Sequence, residues 1–313
     1  MSKYEFLDRR VPIEEGNIAI VQDLSKCKNC SLCRKACAVD MGVFDYYDLT
    51  TNGDHPICIH CGQCASICPF DSINERSEID EVKAAIADPN KIVVFQTAPA
   101  VRVGLGEEFG MDAGTFVEGK MVAALRKLGG DYVLDTNFGA DMTIMEEASE
   151  LVERALNGSG ELPQFTSCCP AWVKFAETFY PEFLPNLSTA KSPIAMQAPT
   201  QKTYFAEKMG IDAKQIVAVA VTPCTAKKFE IRRDELNASA DYWDVPEMRD
   251  TDYCITTREL AKWLRAEEVN FDELEDSTFD PLMGEASGGG IIFGNTGGVM
   301  EAAMRTAYKL VTG

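Results

Sequence analysis

The chain has 313 residues, 46% of them hydrophobic, and a formal net charge of −19. That length and apolar content support two domains with a packed core. The charge argues against nucleic acid and anionic membrane surfaces as partners, leaving small-molecule chemistry or charge-steered contact with another protein. No apolar run approaches a membrane span and the first residues carry no apolar signal core, so a cytoplasmic protein is expected. The twelve cysteines fall in metal-type spacings rather than a secreted disulfide framework.

Residues 1–20 form a short polar lead. Residues 17–21 then read as a strand that runs into Cys27-x2-Cys30-x2-Cys33-x3-Cys37. A second run follows, Cys58-x2-Cys61-x2-Cys64-x3-Cys68, closed by Pro69. The duplicated spacing is that of bacterial two-cluster ferredoxins: three thiolates wrap one cubane and the fourth reaches across to the other. Cys27, Cys30, Cys33 and Cys68 are therefore assigned to one 4Fe–4S cluster, and Cys37, Cys58, Cys61 and Cys64 to the second. A pair of zinc sites fits poorly, because zinc favours two separated pairs. His55 and His60 read as ordinary loop histidines, since eight thiols already complete both clusters. The domain is expected to carry electrons.

Residues 77–90 read as a linker with a short helix, and 91–97 as a β-branched strand ended by Ala98-Pro99. Helical spacing over 116–128 stops at Gly129-Gly130. Residues 132–135 form the next strand and 141–156 the next helix. Then comes Phe165-Thr166-Ser167-Cys168-Cys169-Pro170-Ala171-Trp172. Pro170 suits the first turn of a helix, which puts Cys169 at a helix N-terminus, where a thiolate is favoured. A disulfide between adjacent cysteines is strained. One thiol is expected to hold a metal and the other to face what lies beside it; two small core thiols are the plainer reading.

A helix over 193–208 follows, then a buried-type strand over 215–221 that delivers Thr222-Pro223-Cys224-Thr225-Ala226-Lys227-Lys228. Strands alternating with helices imply a mainly parallel sheet covered on both faces, with chemistry where strands end and helices begin. Cys169 and Cys224 fall at such edges. Residues 230–250 read as a charged loop and 252–256 as a strand. The glycine-rich stretch 284–298 lacks the Gly-Lys-Ser/Thr of a phosphate loop. Its glycines allow close approach to a cofactor or to a neighbouring helix, and composition favours the helix. A helix over 299–310 closes the chain.

At these residues the chain resembles the iron–iron (FeFe) hydrogenases. The stretch 166–172 looks like that family's first signature, and 222–230 like its second, with Thr222 where the family usually has methionine. Gln96-Thr97-Ala98-Pro99-Ala100-Val101-Arg102, Thr143-Ile144-Met145-Glu146-Glu147 and Ala190-Lys191-Ser192-Pro193 are further matches. The resemblance implies an H-cluster, a 4Fe–4S cubane joined through a cysteine sulfur to a diiron subsite carrying CO, cyanide and a dithiolate amine. By motif position Cys169 and Cys224 are cubane ligands, Cys168 passes a proton to the amine, and Lys227 hydrogen-bonds a cyanide. Ala98 and Pro99 line the diiron pocket and Ser192 contacts the other cyanide. Glu147, Glu150, Ser188 and Cys168 match the family's proton relay, with Arg154 at its outer end. For either glutamate alone, a solvated helix face is the plainer reading.

The resemblance implies an α+β ferredoxin-like domain with two 4Fe–4S clusters (residues 21–76), preceded by the lead. A linker helix (77–90) joins it to an α/β hydrogenase domain with mainly parallel sheets (91–313), C-terminally incomplete. The implied activity is reversible reduction of protons to hydrogen, with electrons from ferredoxin or a similar redox protein and with maturation proteins as partners. The alternative is a non-catalytic electron-transfer, sensory or cluster-assembly relative. The family's third cysteine motif, which supplies two more H-cluster ligands, is absent here. Cys254 is expected to be a core thiol rather than their substitute. A fragment, a second chain supplying the motif, and a chain that never builds the H-cluster all stay open. The isolated chain is expected to turn over little hydrogen, and the sheet's apolar edge to be left bare.

Overall fold

The computed structural model describes residues 9–313, so the first eight residues of the polar lead lie outside the described residues. In chain order the elements are β1 (Ile20–Gln22), α1 (Leu32–Lys35), α2 (Gln63–Ser66), β2 (Ile73–Glu75), α3 (Ile79–Ala87), β3 (Ile92–Thr97) and α4 (Val101–Gly104). There follow α5 (Glu118–Lys127), β4 (Tyr132–Asp135), α6 (Thr136–Asn157), α7 (Pro170–Phe179), α8 (Pro193–Thr200), α9 (Ala206–Met209) and β5 (Ile216–Thr222). The last are α10 (Lys227–Glu230), α11 (Ala238–Trp243), β6 (Tyr253–Thr256), α12 (Thr257–Ala266), α13 (Gly288–Phe293) and α14 (Gly298–Thr312).

Two compact units form. The first takes the chain up to Arg76 together with Pro170–Glu182 and Cys224–Phe229. The second takes Ser77–Cys169, Phe183–Pro223 and Glu230–Gly313. In the first, β1 and β2 pair antiparallel over a small core of Val11, Ala19, Ile20, Ala65 and Ile73, into which Cys33, Cys37, Cys64 and Cys68 pack. The strand is shorter than the apolar run 17–21 suggests. Asn17 is buried and its side-chain oxygen accepts from the Ala19 and Ile20 N–H groups, turning the chain before β1 begins.

The second unit is built on a four-stranded sheet of order β4-β3-β5-β6, parallel throughout. Every residue of β5 is buried, as expected for a strand covered on both faces. Val93 and Phe95 face one core with Val219, Val221, Leu125, Leu260 and Trp263. Val94 faces the other with Ile216, Phe205 and Met283. Cys254 is fully buried beside Ile194, Ala220 and Ile231.

Four expectations change. Helix α6 starts at Thr136 rather than 141, because Asp135 ends β4 and caps the helix by accepting from the Asn137 N–H. The stretch 230–250 is not all loop: α11 forms where Asp250 accepts from the Ala238 and Ser239 N–H groups, a cap supplied from a later part of the chain. Cys169 does not follow a sheet strand: the segment before it makes only an isolated bridge, Phe165 with Leu187. The sheet's edges are not bare either. Asp280 exchanges hydrogen bonds with Val133 on β4, and Glu78 accepts from the Cys254 N–H on β6. Helix α14 carries exposed apolar side chains at Met300, Met304, Tyr308 and Val311.

Candidate active site

The two cysteine runs fold alike. The second and fourth residues after the first cysteine of each run have left-handed backbones: Asn29 (φ 53°) and Ser31 (φ 68°), then His60 (φ 61°) and Gly62 (φ 74°). These turns aim amides at sulfur, Asn29 N–H to Cys27 Sγ at 3.4 Å and His60 N–H to Cys58 Sγ at 3.3 Å. Val11 N–H points at Cys33 Sγ at 3.4 Å. Such donors favour thiolate and tune a bound cluster.

The thiols gather as two sets. Cys27, Cys30, Cys33 and Cys68 line one cavity, so the last cysteine of the second run does cross to the first. In the other set, burial and then the neighbouring Cys61 and Cys58 push the Cys37 thiol up to about 12. Burial pushes Cys58 up to about 11, and raises Cys64 further, with Cys58, Cys61 and Cys37 adding to it. Without a cation these sulfurs resist ionisation; an iron–sulfur cluster is the charge that would hold them as thiolates. Among the described residues no three ligand side chains converge on a single metal ion. His60 is not an ordinary loop histidine. It is 4% exposed, stacks on Phe229 with centroids 4.7 Å apart, and is held down to about 4 by burial and then by Lys174.

In the second unit the first signature loop is tied by Ser167, whose hydroxyl donates to Ala190 O at 2.6 Å. Cys168 is half-buried and Cys169 exposed, and α7 begins at Pro170 as the proline predicts. Thr222 is the buried last residue of β5. In the first unit Cys224 packs with Cys61, Ile59, Ala171 and Ala226, and Lys227 is 8% exposed at the start of α10.

Two carboxylates one turn apart on α6 sit in opposite environments. Glu147 is 2% exposed, and neither of its oxygens has a full hydrogen bond. Burial drives its carboxyl up to about 7, against a weak pull from the Ser167 N–H and with the Glu150 charge adding to the rise. It is not on a solvated face. For Glu150, burial pushes upward but is outweighed by hydrogen bonds from Ser188, Arg154 and the Thr189 N–H, which hold it below the usual range. Ser188 donates to Glu150 Oε2 at 2.6 Å, and Thr189 N–H lies 3.0 Å from the same oxygen. Paired groups whose acidities are driven apart are the recurring signature of acid–base sites.

Arg154 and Ser192 both have protein partners. Arg154 is buried and gives its donors to Glu150 and to the carbonyls of Glu161, Pro185, Asn186 and Leu187. It clamps Glu150 and has no donor left for a cofactor. Ser192 caps α8 by accepting from the Ala195 N–H and donates to Glu230 Oε2 at 3.0 Å. Ala98 and Pro99 are half-buried where β3 ends. The glycine-rich stretch serves a neighbouring helix. A Cβ at Gly290 would lie 2.6 Å from Asn137 O on α6, and one at Gly294 would lie 2.9 Å from Pro99 Cγ.

A two-cubane thiol domain joined to a parallel α/β unit defines an iron–sulfur redox protein. The family model for the 4Fe–4S dicluster domain matches residues 19–69, and that for the iron-only hydrogenase large subunit, C-terminal domain, matches residues 91–313. The chain is 44% identical to the NADP-reducing hydrogenase subunit HndD of Solidesulfovibrio fructosivorans, over 94% of this chain and 52% of that protein. It is 45% identical to iron hydrogenase 1 of Clostridium pasteurianum, over 96% of this chain and 53% of that one. Apo [FeFe]-hydrogenase HydA1 from Chlamydomonas reinhardtii superposes with a TM-score of 0.67 at 45% identity, covering 75% of this chain and 59% of that one. The chain spans about half the length of the first two relatives. It belongs to the FeFe hydrogenase family.

Proposed function

We propose that this chain carries out the proton- and electron-delivery part of reversible hydrogen formation, with electrons from a ferredoxin-type carrier. Cys27, Cys30, Cys33 and Cys68 would hold one cubane, Cys37, Cys58, Cys61 and Cys64 the second, and Cys169 and Cys224 would contribute to the H-cluster. When bound, that group supplies an iron site where protons and electrons combine.

The observation that carries the reading is the Glu147–Glu150 pair. Glu147 is poised near neutrality and can both take and give a proton at working pH. Glu150 stays anionic and faces it through the Ser188 hydroxyl, which can hand a proton from one carboxylate toward the other. Cys168 follows Ser167, whose N–H leans toward Glu147, and it would take the proton onward. Lys227, largely shielded from water, would supply the charged donor that a buried cyanide needs. Ser192, with its hydroxyl given to Glu230, would act by fixing α8 rather than by direct contact.

Infrared spectroscopy after maturation tests this. CO and cyanide bands are expected. Iron–sulfur absorption without them would leave an electron carrier or assembly relative.

A further inference from the structure

The second cysteine loop and the Cys224 loop meet inside the first unit through one hydroxyl. Thr225, adjacent to Cys224 and fully packed, donates its hydroxyl to the His60 carbonyl oxygen at 2.6 Å. His60 is the residue before Cys61. Gly62, on the other side of Cys61, leaves the room that this contact needs. A Cβ there would collide with the Thr225 hydroxyl and approach Cγ2 to 2.9 Å, and the left-handed backbone (φ 74°) already favours glycine. The stacked His60 and Phe229 rings close the same junction at the far end of the Cys224 loop. Cys61 and Cys224 share one apolar cluster with Ile59 and Ala226, so no water needs to enter between the loops.

We propose that Thr225 is a positioning residue for electron transfer. Its hydroxyl fixes the spacing across which one electron passes from the site of Cys37, Cys58, Cys61 and Cys64 to the site that Cys224 serves. The inference rests on the cluster assignment proposed above. No bond forms or breaks and no proton moves; the electron comes from a low-potential one-electron donor. Tunnelling weakens steeply with each added ångström of gap. The hydrogen bond from Thr225 to the His60 carbonyl completes a bonded route from Cys61 to Cys224, and a packed but unbonded contact would not.

The test uses the matured, anaerobically purified chain with dithionite as electron source. Thr225→Val keeps the shape and removes the donor; Thr225→Ser keeps the donor. Thr225→Val should keep wild-type iron content and cluster potentials, exchange the amides of residues 60–63 faster, and slow reduction of the Cys224 site severalfold in freeze-quench paramagnetic resonance. Thr225→Ser should match wild type in all of these. Equal transfer rates in Thr225→Val and wild type, or an equally slow Thr225→Ser, would overturn the proposal. Loss of iron in both Thr225→Val and Thr225→Ala would make the hydroxyl a folding element and overturn it too. A wild-type chain with no iron–sulfur signal would bring down the cluster assignment itself, and this inference with it.

Discussion

Glu147 and Glu150 share a helix face, yet folding raises one acidity constant and lowers the other. Raising the Glu147 carboxyl means the folded chain keeps a proton that the unfolded chain has released. Its contribution to stability is complete below the unfolded value of 4.5 and is lost as pH climbs through about 7. Glu147→Gln removes that penalty. The variant should match wild type in acid and be more stable by about 3 kcal/mol near pH ~8, read from denaturant unfolding at both pH values. On the proposed relay, whatever hydrogen turnover the matured wild-type chain supports should fall in this variant while cluster absorption stays, because an amide cannot relay the proton. A turnover rate equal to wild type would remove Glu147 from the relay. Arg154 holds Glu150 from the next turn of α6. Arg154→Ala removes one of several donors to Glu150 and the guanidinium donors to four carbonyls and should cost about 3 kcal/mol in the same melts, with α6 and the 185–189 segment loosening together.

The elements that sequence pattern located best are those whose signals are local. Strand β4 and the β-branched β5 follow from composition, α7 begins at its proline, and α5 stops before Gly129, which holds φ at +106°. The cysteine runs were legible for the same reason: spacing along the chain dictates how thiolates wrap a cubane. What local pattern could not give was partnership at a distance. The α11 cap comes from Asp250, the β4 edge is closed by Asp280, and the β6 edge by Glu78. His60 looked like a loop residue because its burial depends on Phe229, far along the chain. The Arg154 and Ser192 contacts with protein partners were likewise hidden, since family position names a residue without naming what already holds it. The glycine-rich stretch was ambiguous in composition, and packing shows one part of its use: α13 lies against α6 with Gly290 at the contact. Gly290→Ala should overpack this crossing and cost about 1–3 kcal/mol, measurable as a lower melting temperature. Phe95→Ala, in the core beneath β3, should cost about 3–5 kcal/mol by the opposite mechanism, a cavity.

At the scale of the whole molecule, the two compact units are built from segments that alternate along the sequence. Helix α7 and the Cys224–Phe229 segment belong to the ferredoxin-like unit, although they lie in sequence within the stretch that the hydrogenase family model matches. The buried thiols make cluster loading sensitive to pH. Because burial pushes the Cys37 and Cys58 thiols up, loading iron on them releases protons, and reconstitution should proceed further as pH rises. The most direct test of the account is an iron and sulfide count with paramagnetic resonance on the anaerobically reconstituted chain. Two cubanes in the first unit predict at least about eight iron atoms per chain and two interacting signals on reduction. Stoichiometric zinc in place of iron, or two clusters that both survive replacement of Cys27 and Cys30 by serine, would contradict it.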